Sequence, residues 1–530
     1  MYASYVFLNG QVVTVDQNDS LAEAVAVYDN KIVFVGNKDG VLPFIGPETE
    51  TIDARGGSIL PGFIDAHAHM DVTGIGITYP SLAKARSIAD IQKIVADEAA
   101  KRPKGSIVRA YLYDHMYLAE NRPPTRWELD EAAPEHKVYI VHKSFHISVA
   151  NSMALESIGL TAETPDPVGG EYVKKDGQLT GLALENAHWR LFDAFFLNEE
   201  ELEGVLHTAD AFFSRFGVTS IHSPTDNTKT LKVLTDLKAQ GKINTRVYAM
   251  PFPIGKLEFM EKFLGIGFHT GFGSDSFKLG AFKLMLDGSS MGGTAAMKEP
   301  YCDDPTRKGF LTMDQELLND YFLRAHLDGF QVTSHAIGDK AIEMVLDAIE
   351  NALAVKPVKD ARPRIEHCLF ADKDTVKRCA KMGVIPIPQT EFLYTSGDAY
   401  IKIYGDRVNH AFPCKSFLEA GVKVAFSSDG PVASINPLIQ IYGACARITN
   451  TGQPIGPDEA VTVPQAIRMA TYNGAHASKE EHIKGSLEAG KLADIIVLSR
   501  PILDIPLEDL KETRVELTMV GGKITHRENS

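Results

Sequence analysis

Five apolar, strand-like runs in this chain each bring a metal-site type of residue to or near their end, always in the same order. His67 and His69 follow Ile59–Ala66. Lys283 lies within Lys278–Gly288. His335 closes Phe330–Ser334, His367 closes Arg364–Glu366, and Asp429 follows Val422–Ser428. A parallel barrel presents its working side chains at the C-terminal ends of its strands. Imidazoles and a carboxylate gathered there would hold a divalent metal, and a metal there can activate water.

The His-x-His spacing alone carries little, since a chance pair is commonplace with 17 histidines in 530 residues. Position carries more. The pair follows an apolar run with a Pro61-Gly62 break, where one buried strand would start. Two residues apart on a strand, His67 and His69 face one side, as chelation from a strand end requires. His335 and His367 would supply a second pair from neighbouring strands.

Composition narrows the class. The chain is 44% hydrophobic and 23% charged, enough apolar material for a large core. A net charge of −15 argues against a nucleic-acid partner, which wants a basic face, and reads as a solubilising surface. The cysteines (Cys302, Cys368, Cys379, Cys414, Cys445) form no Cys-x-x-Cys pair, so neither a zinc knuckle nor a dithiol motif is indicated. An odd, scattered set suits a reducing cytosol. Met1–Tyr5 has no basic leader character, and no apolar stretch is long enough to span a bilayer. A cytoplasmic protein with no membrane partner is expected.

Strands dominate both ends. Tyr5–Leu8 and Gln11–Val15 flank Asn9-Gly10, a tight-hairpin signal. Ala24–Tyr28 and Lys31–Val35 flank Asp29-Asn30. Near the other end, Ala493–Leu498 and Val515–Val520 read as strands, the latter turning at Gly521-Gly522 into Lys523–Thr525. The two sets are expected to complete one composite β-sandwich from residues 1–58 and 478–530. Between them strand-like and helix-like runs alternate, which argues for βα units and a parallel sheet over residues 59–477. Asp339–Ile349 and Pro437–Arg447 have helical character. The stretch from about 75 to 200 is long for one βα step and reads as an inserted subdomain near the barrel mouth.

Together these segments resemble the metal-dependent amidohydrolase superfamily, in its YtcJ-like branch (amidohydrolase family 3). The matching residues are Pro61–His69, His146 with Asn151–Leu155, Gly181–Ala187, Lys283–Gly288, His335–Asp339, Arg364–His367, Ser428–Pro431 and Gly485–Asp494. The resemblance implies an α/β fold, a distorted (β/α)8 TIM barrel with a terminal β-sandwich. It implies one or two divalent metals, usually zinc, and hydrolysis of an amide or similar C–N bond. Two positions depart from the family pattern. Val149 stands where an aromatic residue is common, and Thr390 follows Gln389 where proline is usual.

The resemblance also assigns roles. His67, His69, His335, His367 and Asp429 would hold metal. Lys283, once carboxylated by CO2, would bridge two metals; Glu185 competes for that position, and a lysine simply paired with Asp287 is the plain alternative. Asp429 would accept the water proton and pass it to the leaving nitrogen. His146, Asn151 and Glu185 would face substrate, although Asn151 also suits a helix cap. Asp339 would orient His335, or serve only as a helix N-terminal acid. His222 reads as structural by default, yet it ends a strand and so stays a candidate. Phe145, Phe392 and Tyr394 would wall the pocket. The expected enzyme hydrolyses a small amide, N-formamide or carbamate-like compound. The alternatives are a deaminase or cyclic-amide hydrolase, and a non-catalytic metabolite-binding regulator. Homo-oligomerisation is left open.

Overall fold

The computed structural model describes residues 2–253 and 257–528, so Met1, Asn529 and Ser530, at the outer ends of the expected terminal domain, lie outside it. The chain divides into two compact units. Among the described residues, the first comprises 2–70, 210–253 and 258–528, and the second comprises 71–209 with residue 257.

In the first unit, two four-stranded parallel sheets position the site. One has the spatial order Phe277–Leu279, Arg246–Pro251, Val218–Thr225, Phe63–Asp65. The other runs Phe282–Met285, Val332–Ala336, Arg364–His367, Ile385–Ile387. All pairings within both are parallel. Apart from the half-buried Phe277, Lys278 and Met285, the strands are buried on both faces, the pattern of a parallel sheet covered on each side. The expected Lys278–Gly288 strand is two strands broken at Gly280. The Gly280 N–H donates to the Ala249 carbonyl at 2.6 Å. A Cβ there would meet the Tyr248 ring at 2.7 Å. Only glycine permits that approach.

Val422–Ser428, expected as a strand, has no strand assignment, yet its backbone bonds on both sides. The N–H groups of Ala425 and Ser427 donate to the Pro386 and Pro388 carbonyls, each at 3.2 Å. Ala66 N–H donates to the Phe426 carbonyl at 3.0 Å, and Asp429 N–H to the His67 carbonyl at 2.8 Å. The expected helices form as Asp339–Val355 and Pro437–Ala446.

The terminal strands of the first unit make two further sheets. One is six-stranded, ordered Lys523–Arg527, Val515–Val520, Ile495–Leu498, Ser58–Pro61, Gln11–Val13, Leu21–Ala22. The other is four-stranded, ordered Lys31–Gly36, Ala24–Tyr28, Tyr5–Leu8, Glu50–Asp53. One apolar cluster draws on both: Phe7, Val25 and Ile52 from the smaller, Ile59, Val497 and Met519 from the larger. The Asp29-Asn30 and Gly521-Gly522 hairpins form as expected. The Asn9-Gly10 hairpin does not. Tyr5–Leu8 and Gln11–Val13 belong to different sheets, and the turn carries the chain from one to the other. Asn9 does take the left-handed conformation its type tolerates, at φ 57°. Its carbonyl, however, accepts from Gly56, and Gln11 N–H donates to Gly57. The turn forms where its residues dictate, but its strand pairing is decided by residues 50–61.

The second unit has its own five-stranded sheet, ordered Gly170–Lys175, Gln178–Glu185, Ile147–Ala150, Lys137–His142, Ile107–Tyr113. Its core includes Ile91, Val95, Val108, Leu129, Val138 and Val149.

Candidate metal centre

Strand register brings the expected ligands together in the first unit. Met285 lies opposite His335, and Ala336 opposite His367. The Asp65 and Asp429 segments are tied by more than their backbones. One Asp65 oxygen accepts from the N–H groups of His67 (3.1 Å) and Ser428 (3.0 Å). The other faces the Ser428 hydroxyl at 2.5 Å. His69 N–H donates to the Gly430 carbonyl at 3.0 Å.

His67, His367 and Asp429 each offer one ligand atom within 4.8 Å of the others. His67 and His69 Nε2 each stand 3.5 Å from Asp429 Oδ1. Both cluster histidines are oriented through their far nitrogen. His67 Nδ1 donates to Glu366 Oε2 at 2.5 Å, and His367 Nδ1 donates to Gln389 Oε1 at 2.8 Å. This leaves each Nε2 with a lone pair, as metal-ligating histidines require. Burial, reinforced at His67 by the Lys283 charge, pushes both imidazoles below the usual histidine range. Burial alone would raise the Asp429 carboxyl. The surrounding His69, His367 and His67 outweigh it, so Asp429 sits below the ordinary carboxylate range. Two neutral imidazoles and one carboxylate form a donor set that suits a zinc-class divalent ion.

Two of these residues carry backbone strain. His367 has φ 71° and Asp429 φ 55°, in the left-handed region that costs a non-glycine residue about 1–2 kcal/mol. The strain turns each strand end sharply and delivers its side chain to the cluster.

Lys283 is 2% exposed. Its Nζ lies 3.0 Å from His67 Nε2 and 4.0 Å above the Phe252 ring. It therefore donates to the same lone pair a metal would use. Burial lowers its pKa to about 8. It is not the partner of Asp287, which accepts instead from the N–H groups of Ala296 (3.0 Å), Ile337 and Gly338 (2.9 Å). Asp287 also stands 3.4 Å from His335 Nε2, while that nitrogen donates to the Gly288 carbonyl at 3.1 Å. In this tautomer His335 does not reach the cluster through Nε2, although its ring lies 4.3 Å from that of His367. Asp339 opens its helix and accepts from Lys298 N–H, the plainer of its two expected roles.

The remaining expected site residues lie in the second unit. His146 Nδ1 and Glu185 Oε2 form a pair at 2.6 Å. Asn151 is the N-cap of Ser152–Ser157. Its oxygen accepts from Ala154 and Val138, and its nitrogen donates to the His136 carbonyl. Its amide holds backbone together, and the side chain is buried. Val149 packs in that unit's core rather than in a pocket. Phe145 is likewise buried, stacked near Tyr111. In the first unit, Tyr394 meets Tyr442 edge-on.

Sequence reasoning missed Glu366, Gln389 and Asp65 as orienting groups. Glu366 is fully buried and also accepts from Thr333 Oγ1 (2.6 Å) and Arg364 Nε (2.8 Å). A carboxylate buried this completely needs such partners. His222 belongs to the same support, with Nδ1 2.9 Å from Arg364 Nη1 beneath the cluster ligands.

Comparison with known proteins identifies the family. The amidohydrolase family model matches residues 50–526. An N-substituted formamide deformylase of Arthrobacter pascens is 31% identical, with 98% of each chain covered. The putative amidohydrolase YtcJ of Bacillus subtilis is 28% identical, with 99% of each chain covered. Among solved structures, an uncharacterized metal-dependent hydrolase from Pyrococcus horikoshii superposes with a TM-score of 0.79 at 26% identity, covering 95% of this chain and 99% of that one. The fold is thus TIM-barrel-like α/β, and no helix among the described residues is long and apolar enough to cross a membrane. The chain belongs to the amidohydrolase family, as a metal-dependent hydrolase acting on carbon–nitrogen bonds.

Proposed function

We propose that this protein hydrolyses small, neutral N-substituted formamides or closely similar amides, releasing a free amine and a carboxylate. The observation that carries the reading is the His67–His367–Asp429 cluster in a chain similar over nearly its full length to an N-substituted formamide deformylase. A divalent ion held there, zinc by the donor set, polarises a carbonyl and lowers the pKa of its water. The overall step adds water to the formyl carbon and breaks the C–N bond; the nitrogen leaves with a proton as the amine, and formate remains. Asp429 takes the proton from water and delivers it to the departing nitrogen. His67 and His367, locked by Glu366 and Gln389, hold the reacting centre in place. His69 and His335 complete the proposed ligand set; in the second unit, the His146–Glu185 pair is the proposed substrate-facing group.

The architecture around the centre supports the same reading. The two parallel sheets and the Val424–Asp429 segment supply extended runs whose hydrogen bonds support a closed, distorted (β/α)8 barrel. The apolar cluster shared by the two terminal sheets supports a composite β-sandwich. The division at residues 71–209 supports an inserted subdomain. Lys283 would act here as a carbamate: its free amine would attack CO2 and lose a proton, and the resulting carboxylate would serve as a metal ligand.

The test is a panel of N-alkyl and N-aryl formamides with product identification by mass spectrometry. Amine and formate should appear together and stop with chelator. Release of ammonia alone from an aromatic heterocycle would replace this reading with a deaminase. Lys283→Ala should lose metal and activity, with partial rescue by small carboxylates. If Glu185→Gln does this damage and Lys283→Ala is silent, the bridge belongs to Glu185.

A further inference from the structure

We propose that the second unit carries a metal site of its own, built from Asp114, His115 and His142, that takes one zinc-class divalent ion. One ligand atom of each residue lies within 4.8 Å of the other two. The three come from adjacent strand ends. Asp114 and His115 follow Ile107–Tyr113, and His142 ends the neighbouring parallel strand Lys137–His142, in register with Tyr113. The His115 and His142 rings are 5.1 Å apart.

Polar atoms are buried here without being satisfied. His142 is 7% exposed, and its Nε2 is buried with no hydrogen-bond partner among the described residues. His115 Nδ1 is in the same condition. A buried ring nitrogen left unpaired costs free energy, so two at one place call for an explanation such as an ion. Asp114 Oδ1 stands 3.5 Å from the His142 Nε2. The carboxylate is held in place by the Met116 N–H at 3.0 Å, and Lys143 Nζ lies 3.2 Å from its other oxygen. Lys143 thus neutralises one oxygen and leaves Oδ1 turned toward the histidines.

Protonation states agree with the geometry. Burial pushes both imidazoles below the ordinary histidine range, so each keeps a lone pair at neutral pH. On its far side, His142 Nδ1 lies 2.9 Å from the Ser144 hydroxyl. Donation of Nδ1–H to that oxygen would leave the lone pair on Nε2 free for an ion. Ser144 N–H also lies 3.1 Å from Nδ1. In the opposite, metal-free tautomer it donates there, and Nε2–H points at Asp114. Two imidazoles and one carboxylate favour zinc, cobalt or nickel over calcium or magnesium, which prefer all-oxygen shells. None of these residues takes part in the cluster around His67.

The intact protein tests this in two ways. Crystals soaked in zinc chloride should show an anomalous peak between Asp114, His115 and His142. In equilibrium dialysis against zinc, a His67→Ala/His69→Ala protein should keep about one ion per chain through this site, and adding His142→Gln should remove it. Equal zinc counts with and without His142 overturn the proposal. So does a soaked crystal with no peak at that place, which assigns Nε2–H to Asp114 instead.

Discussion

In the proposed mechanism Asp429 supplies the chemistry of the centre and Glu366 its geometry. Asp429→Asn keeps the shape but removes the proton acceptor. It should lower kcat by about 10² or more while metal content, read by plasma mass spectrometry, is largely retained. An unchanged kcat would refute the assignment. Glu366→Gln should act differently. It weakens the hold on His67 and strips the buried Arg364 of its charge partner. Metal affinity should fall by about 10–100-fold. Loss of the buried pair should also cost about 3–5 kcal/mol of stability, read by denaturant unfolding. A variant as stable and as tightly metallated as wild type would show that Glu366 orients nothing. The clustered residues His67, His367 and Asp429 were legible as candidates because they stand at the ends of strand-like runs. Glu366, Gln389 and Asp65 were not, because their role depends on which strands become neighbours, and no local pattern encodes that. Asn151 was legible as a cap, and the cap is what its amide does.

At the level of elements, βα alternation and two of the three terminal hairpins could be read from periodicity and turn residues. The Asn9-Gly10 pairing and the break at Gly280 could not, since long-range packing overrode a sound local signal. One tie between distant elements gives a pH prediction. Glu480 bonds Lys278, from the Phe277–Leu279 strand, and Lys484, each at 2.8 Å. Burial would raise the Glu480 carboxyl, but the two ammonium groups outweigh it and bring its pKa to about 2. A carboxylate with a depressed folded pKa contributes stability above its unfolded value, near 4.3, and loses it as pH falls toward 2. Glu480→Gln should therefore cost about 3 kcal/mol at pH 7, leaving Lys484 buried without its charge partner. Unfolding measured down the acid range should show this gap closing below about pH 4.5. A gap that is constant with pH would show that the ion pair is not its source.

For the molecule as a whole, a metal bound only by the native state adds stability by mass action. At a free concentration of 100 times Kd the gain is about 2.7 kcal/mol. Chelation should lower Tm by a few degrees, and titrated zinc should restore it in a concentration-dependent way; an unchanged Tm would mean that the native fold binds no ion tightly. The six-stranded sheet has a different consequence, one of timing. Ser58–Pro61 pairs with Ile495–Leu498, which pairs with Val515–Val520. Synthesis proceeds at about 5–20 residues per second, so the early strand waits roughly 20 to 90 seconds for its partner to be made. Throughout that interval Ile59 and Leu60, wholly buried in the finished protein, can find a strand partner on one side only, at Gln11–Val13. The nascent chain must carry an apolar, unpaired edge until residues 495–498 are made, and chaperones that shield such edges would find their substrate there.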